Sequence, residues 1–212
     1  MNPEPQHLIL FTRYPLPGTA KTRLIPVLGE VGAAELSRHM TEHTLAQVQA
    51  LQQQQTLTME ICFAGDSVAC MQAWLGQEYA YTSQGEGDLG DRLARSLQAA
   101  FATGAAQVVI IGSDCPELNP ALLQQAFVAL DQHDLVLGPA LDGGYYLIGL
   151  RRFVPELFVE IAWSTAEVCA QTLAIARQLN LDVFLLPPLA DVDYPEDLVI
   201  WQRVTAASPN MI

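Results

Sequence analysis

Short apolar runs of strand length recur along the chain, and between them apolar positions fall three and four residues apart. His7 to Thr12 reads as a first strand, followed by a polar loop. A helix from about Glu30 to Gln54 carries Leu36, Met40, Val48 and Leu51 as its apolar stripe, with the glutamine tract 52–55 as its frayed end. Then come a strand near Thr56 to Ala64, a short helix around Val68 to Leu75 and a brief strand near Tyr79 to Thr82. The glycine-bearing loop Gly85 to Gly90 leads into a helix that runs through about Ala100, and Val108 to Ile111 form a strand of the buried type. Asn119 before Pro120 starts a helix, a capping residue followed by proline at the first helical position. Leu135 to Pro139 and Tyr145 to Leu150 read as strands around Leu141-Asp142-Gly143-Gly144, a hairpin-like insertion. Ser164 with Glu167 three positions on has the form of a capping box and predicts a helix opening at Trp163-Ser164-Thr165. Val183 to Pro187 is a last apolar run, and Pro195 begins a final helix.

This alternation of strands and helices predicts an α/β fold with a mostly parallel sheet covered by helices. With 212 residues, 50% of them hydrophobic, the chain can bury one substantial core, so we expect a single domain over 1–212. In such sheets ligands bind beyond the carboxyl ends of the strands. Asp114 stands at such an end, in Gly112-Ser113-Asp114-Cys115-Pro116. A second acidic cluster, Asp191, Asp193, Glu196 and Asp197, follows the last apolar run. Two strand ends presenting carboxylate point to a hard-cation site, while Asp114 as a helix cap, and the second cluster as partners of a helix dipole, are the competing uses. Asp197 fits the structural use best.

Ten basic against 23 acidic residues give a formal charge of −13, which argues against nucleic acid or an anionic membrane as partner. Against that background the loop from Arg13 to Arg23 gathers Arg13, Lys21 and Arg23. A lysine neutralises phosphate as a point charge and an arginine forks onto two oxygens, so Lys21 and Arg23 suit the phosphates of a nucleotide. The loop is not a P-loop, because Ala20 and Pro15 stand where that motif needs glycine. Gly85-Glu86-Gly87-Asp88-Leu89-Gly90 has the literal dinucleotide fingerprint, yet Glu86 and Asp88 stand where a pyrophosphate would lie and the strand before it is not the first. Asp142, beside two glycines, can meet a ligand hydroxyl. His39 and His43 lack a zinc motif, no serine sits in a nucleophile elbow, and Cys62, Cys70, Cys115 and Cys169 lack metal-ligand spacing. The thiols fit a reducing compartment. Met1 to His7 lacks the charged and apolar regions of a signal peptide, and no run is long enough to cross a bilayer, so a soluble, cytoplasmic protein is expected.

Five segments occur in order: Phe11 to Leu24, Gly87 to Arg92, Gly112 to Pro116, Gly138 to Gly149 and Asp191 to Leu198. Together they resemble the bacterial transferase family called radical-SAM/selenodomain-associated transferase 1, also described as arsenosugar-biosynthesis-type glycosyltransferases. The resemblance covers nearly the whole chain. It implies a GT-A-like, Rossmann-like three-layer α/β/α sandwich, akin to phospholactate and molybdopterin guanylyltransferases. It also implies that Arg13, Gly18, Lys21, Arg23, Gly87, Asp88 and Gly90 face the nucleotide, and that Asp114 and Asp193 hold Mg²⁺ or Mn²⁺. Asp114, Lys21 and Arg23 are then the catalytic set, and Asp142, Gly143, Gly144 and Tyr145 lie nearer the second substrate. The implied partners are a nucleotide sugar or nucleoside triphosphate and a small-molecule acceptor. Ser113-Asp114-Cys115 departs from the Asp-x-Asp form of many glycosyltransferases, which keeps nucleotidyl transfer with release of pyrophosphate beside glycosyl transfer. A noncatalytic nucleotide-binding protein is the contrasting class.

Overall fold

A computed structural model describes residues 5–207; Met1 to Glu4 of the amino-terminal stretch read above, and residues 208–212, lie outside the described residues. Seven strands form one mixed sheet: β1 (Gln6–Arg13), β2 (Thr58–Ala64), β3 (Ala80–Ser83), β4 (Gln107–Ile111), β5 (Leu135–Pro139), β6 (Tyr145–Leu150) and β7 (Val183–Leu185). Their order across the sheet is β3-β2-β1-β4-β6-β5-β7. All neighbours are parallel except β6, which runs antiparallel to both β4 and β5. The hairpin-like insertion read from Leu135 to Leu150 is therefore present, and it puts the amino end of β6 beside the carboxyl end of β4.

The alternation of side chains explains why these strands read as continuous apolar runs. Leu8 and Leu10 of β1, Ile61 and Phe63 of β2, and Val109 and Ile111 of β4 face one core layer. Ile9 and Phe11, Cys62, and Val108 and Ile110 face the other. With both faces buried, every position of a central strand must be apolar. The first layer is closed by α1 (Ile25–Gln52), α2 (Val68–Leu75) and α4 (Pro120–Leu130), through residues such as Val48, Leu51, Met71, Leu123 and Phe127. The second is closed by α3 (Leu89–Ala102) and α5 (Val168–Gln178), through Leu93, Leu97 and Ala176. This is a three-layer α/β/α sandwich.

A third, smaller cluster joins Leu24, Ala33, Leu36, Met40 and Val192, with Leu198 and Trp201 of α6 (Leu198–Ala207) packed against it. Leu24 and Val192 are fully buried there. His43 on α1 adds a polar tie: its Nε2 donates to the Pro116 carbonyl at 2.9 Å, and its ring meets Trp201 edge-on. Burial lowers its pKa, so the neutral ring fits this place.

Helix boundaries follow local chemistry. Asn119 caps α4 by accepting from Leu122 N at 3.1 Å, with Pro120 at the first position as the sequence indicated. The helix read from about Glu30 runs unbroken from that point; a short helical turn from Ile25 precedes it and is set off by Gly29, whose φ of 71° leaves the helical region. The helix expected from Ser164 is displaced: Ser164 has φ +64°, and α5 begins only at Val168 with no side-chain cap. Packing overrides the capping box, because Trp163 lies against Gly90 and edge-on to Tyr145, while Thr165 Oγ1 donates back to the Ala162 carbonyl at 2.7 Å.

The face assignment of α4 makes a direct test. Phe127 is fully buried whereas its neighbour Val128 is 61% exposed. Phe127→Ala should lower unfolding free energy by about 3–5 kcal/mol in urea denaturation, and Val128→Ala should change it by no more than about 0.5 kcal/mol. Equal effects would contradict this packing.

Candidate functional site

The carboxyl ends of β1 and β4 open into a cavity of about 580 Å³. Its walls come from Phe11 to Arg13, Thr19 to Arg23, Ile110 to Asp114 and Tyr145 to Ile148, with Gln84, Leu89, Arg92 and Asp193 closing the rest. This is where an open α/β sheet is expected to hold a ligand.

At its centre is Lys21. The residue holds a left-handed backbone conformation, φ 46° and ψ 48°, immediately before the 3₁₀ turn Thr22–Leu24. Its side chain is only 7% exposed, and Nζ lies 2.6 Å from Asp114 Oδ1, 2.9 Å from Asp193 Oδ1 and 2.7 Å from the Val192 carbonyl oxygen. Three acceptors match the three hydrogens of an ammonium. Burial alone would lower the lysine pKa, but the charges of Asp114 and Asp193 outweigh it and the net shift is upward. The ammonium is therefore the form present at neutral pH. Arg23 Nη1 donates to Asp193 Oδ2 at 3.0 Å, and its guanidinium stacks 4.9 Å above the Tyr194 ring. The chain 191–194 is pinned to the β4 loop by Val192 N donating to the Asp114 carbonyl at 2.9 Å.

Asp197 serves this segment structurally, since its Oδ2 accepts from Asp193 N at 3.0 Å and Tyr194 N at 2.7 Å. Asp191 is different. Partial burial and the charge of Asp142, followed by those of Asp193 and Asp197, push its carboxyl up to about 6.

Arg13, Lys21, Arg23, Asp114, Asp193 and Tyr145 all line the cavity, so the structure brings together the cationic loop and both acidic strand ends. Gly18, Gly87, Asp88, Gly90, Asp142, Gly143 and Gly144 stand outside its lining. Asp88 caps α3, accepting from Asp91 N at 2.9 Å, while Asp91 Oδ2 accepts from Asp88 N at 3.2 Å. The absent Cβ of Gly90 matters because Trp163 occupies its place: an added Cβ would lie 2.5 Å from Trp163 Nε1. Gly143, with φ +94°, is approached in the same way by the Ala166 backbone, and its carbonyl accepts from Cys169 N at 2.9 Å. Asp142 Oδ1 accepts from Gly144 N at 2.8 Å and shapes that turn. Tyr145 lines the cavity, and its hydroxyl is buried beside Thr172 and Cys169.

Two cavity residues escaped the sequence reading. Gln84 is buried, and its Nε2 donates to the Thr12 and Cys62 carbonyls at 3.1 Å each, tying its loop to the carboxyl ends of the paired strands β1 and β2. Arg92 Nε donates to the Gly87 carbonyl at 3.0 Å and its Nη1 reaches toward Gln84 Oε1. Arg95 Nη2 donates to the Glu86 carbonyl at 2.8 Å and its Nη1 to the Gln84 carbonyl. The Gly85 to Gly90 loop is thus wrapped around two arginine side chains. Arg92 belongs to a quoted motif, Gly87 to Arg92, so the signal was present; Gln84 had none beyond its place after a strand.

The upward shift of Asp191 has a defined sign for stability. Between about pH 4 and 6 the folded protein binds more protons than the unfolded chain at this position, so the group's contribution falls as pH rises through that window and stays low above it. Asp191→Asn should therefore stabilise the protein at pH 7.5 by about 1 kcal/mol, allowing for solvent screening at a half-buried site, and give no gain near pH 4. Denaturant titrations at both pH values check this, and a gain of equal size at pH 4 would count against it.

The sequence matches the family described as an uncharacterised protein conserved in bacteria, DUF2064, over residues 45–165. No curated protein matches it. Among solved structures, a protein of Desulfovibrio desulfuricans G20, provisionally assigned as a nucleotide-diphospho-sugar transferase, superposes with a TM-score of 0.89 at 36% identity, covering 97% of this chain and 89% of that one. A Methanothermobacter nucleotidyl transferase gives 0.65 at 13% identity, over 96% and 99% of the two chains. Glucosyl-3-phosphoglycerate synthase of Mycobacterium tuberculosis, bound to Mn²⁺, UDP and phosphoglyceric acid, gives 0.56 at 14% identity, over 99% and 78%. The last two share the fold, which is that of the GT-A-like transferases. With the family match spanning more than half of its residues and a relative of 36% identity along nearly its whole length, the chain belongs to the DUF2064 family of bacterial proteins.

Proposed function

We propose that the protein transfers a group from a nucleotide-linked donor, with a nucleotide-diphospho-sugar as donor and a small molecule as acceptor, in the manner of the radical-SAM/selenodomain-associated transferases it resembles. The observation that carries the reading is the meeting of Lys21, Arg23, Asp114 and Asp193 in one cavity at the carboxyl ends of parallel strands. A relative with 36% identity bears the same general assignment. A cytoplasmic place for the enzyme is part of this reading; no helix among the described residues is long and apolar enough to cross a membrane.

The donor chemistry also fits a divalent cation. Among the described residues no three His, Cys, Asp or Glu gather as a cage of protein ligands. Two carboxylates, Asp114 and Asp193, do converge from opposite sides on one ammonium. Mg²⁺ and Mn²⁺ accept one or two carboxylates completed by phosphate oxygens and water, so Asp114 and Asp193 would hold such an ion. When bound it would neutralise charge on the diphosphate of the donor.

The chain's own residues carry the rest. Arg23 is 57% exposed and uses one nitrogen on Asp193, which leaves guanidinium donors for phosphate oxygens. Lys21 keeps a positive charge fixed below the same position. Both favour negative charge developing on a departing phosphate. Arg13 and Arg92 extend this positive lining toward the far end of the cavity.

One observation favours nucleotidyl transfer as a second reading. Ser113-Asp114-Cys115 offers one acid where Asp-x-Asp offers two, and a triphosphate suits the cationic loop equally well. The reactions differ in the bond broken: sugar to phosphate, releasing a nucleoside diphosphate, or the α–β phosphoanhydride, releasing pyrophosphate. Incubation with nucleotide sugars and nucleoside triphosphates, with Mg²⁺ or Mn²⁺ and a panel of small hydroxylated acceptors, should yield nucleoside diphosphate. Pyrophosphate instead would establish the second reading, and ligand binding without either product would indicate a noncatalytic nucleotide-binding protein.

Arg23→Gln should leave the thermal midpoint within a few degrees and weaken nucleotide binding about tenfold, the loss of one charge-assisted contact. Isothermal titration of the donor nucleotide measures it. Unchanged affinity would remove Arg23 from the phosphate site.

A further inference from the structure

Lys21 has a consequence for how a cation reaches this site, one that rests on reading the cavity as a nucleotide site. All three hydrogens of its ammonium are taken: by Asp114 Oδ1, by Asp193 Oδ1 and by the Val192 carbonyl. The second oxygen of Asp193 is held by Arg23. Every carboxylate oxygen that could help to ligate an ion between the two strand ends, apart from Asp114 Oδ2, therefore already faces a positive group.

We propose that in the nucleotide-free protein Lys21 is a resident cation that excludes divalent ions from the Asp114–Asp193 pair. Like charges cannot share the space between two carboxylates, and the ammonium is held there by geometry as well as charge. Its backbone is fixed in a left-handed conformation between Ala20, whose N–H donates to the Leu16 carbonyl at 3.1 Å, and the buried Leu24. Its neutral acceptor, the Val192 carbonyl, is fixed in turn by the Val192 N to Asp114 O bond. Removing the ammonium therefore means giving it other counter-charges, and the phosphates of a nucleotide are the group of suitable chemistry for this cavity. The cation and the nucleotide then arrive together, and the free protein carries its own substitute for the metal.

The test is Mn²⁺ binding followed by electron paramagnetic resonance at pH 7.5, without nucleotide. Wild type should show no binding at concentrations where Lys21→Met, which keeps the length of the side chain and removes its charge, binds at least tenfold more tightly. Lys21→Met with Asp114→Asn should lose that gain. Thermal midpoints provide a second readout: Mn²⁺ should raise that of Lys21→Met and leave that of nucleotide-free wild type unchanged. Should Lys21→Met not fold, wild type labelled with ¹⁵N-lysine answers the question directly. The Lys21 Nζ signal should stay sharp in Mn²⁺ alone if the ion is excluded, and paramagnetic broadening of that signal would overturn the proposal. Wild-type protein that binds Mn²⁺ as tightly as Lys21→Met would overturn it too. The functional reading fails separately: if no nucleoside di- or triphosphate or nucleotide sugar shifts the wild-type midpoint with or without Mn²⁺, the cavity is not a nucleotide site, while exclusion of the ion by Lys21 stands on the metal titrations alone.

Discussion

The ammonium of Lys21 holds the site together. It draws three separate stretches of chain to one point: the loop after β1, the end of β4 through Asp114, and the segment before α6 through Asp193 and Val192. Without a cation there, two carboxylates would face each other within a few ångströms, and like charges so close repel. The apolar cluster beneath does the complementary work. Leu24 and Val192 are fully buried in it, three residues from Lys21 and one from Asp193, so hydrophobic packing sets the backbone positions and the ion pairs set the side chains. An ion network of this kind, with the ammonium buried and Asp114 and Arg23 more than half exposed, is weak evidence for stability, because desolvation and solvent screening offset much of the attraction. Its value here is in position: the packed cluster supplies stability, and the charges fix where the carboxylates point.

The antiparallel strand β6 gives the cavity its second wall. The chain leaves β4 through the crossover helix α4 to β5, and β6 then turns back between the two; in a purely parallel order the neighbour of β4 would bring its own carboxyl end to this side. Here β6 enters from the opposite direction, so Tyr145 and Tyr146 stand beside Gly112 and Asp114 at the ligand end of the sheet. Gly112 N donates to the Tyr146 carbonyl at 3.1 Å, and the Tyr146 hydroxyl donates to the Pro187 carbonyl at 3.0 Å. The tight turn at Asp142 to Gly144 is what allows this reversal. Its glycine accommodates the Ala166 backbone, which links the hairpin to the start of α5.

Much of this was legible in the sequence because it rests on local rules. Strands β1, β2, β4, β5 and β6 are apolar runs bounded by polar turns, the Asn119-Pro120 helix start is a capping signal, and Asp114 and Asp193 follow strand ends. Asp197 as a structural acid follows from its place at a helix start. What was not legible depends on contacts distant in sequence. Ser164 has the right residue type for a cap, but Trp163 is drawn onto Gly90 and Tyr145 some seventy and eighteen residues away, and the helix start moves to Val168. The close approach allowed by Gly90 is likewise to Trp163, a partner that no spacing in the Gly85 to Gly90 loop reveals. Gln84 is the clearest case, since a buried amide that bridges the carbonyls of two neighbouring strands has no sequence signature.

The charge distribution shows why so acidic a protein can have a site of this kind. Arg13, Lys21, Arg23 and Arg92, four of the ten basic residues, line one cavity, against a net charge of −13 for the chain. At physiological ionic strength the field of distant surface carboxylates is screened within about 8 Å. The potential inside the cavity therefore depends on the guanidinium groups that line it more than on the protein's overall sign. Outside the cavity lining, the Asp191 carboxyl is pushed up to about 6 by its burial and by the charge of Asp142. Acid and base are thus sorted by distance. Lys21 marks the boundary, because it is paired with both acidic strand ends while it belongs to the basic loop.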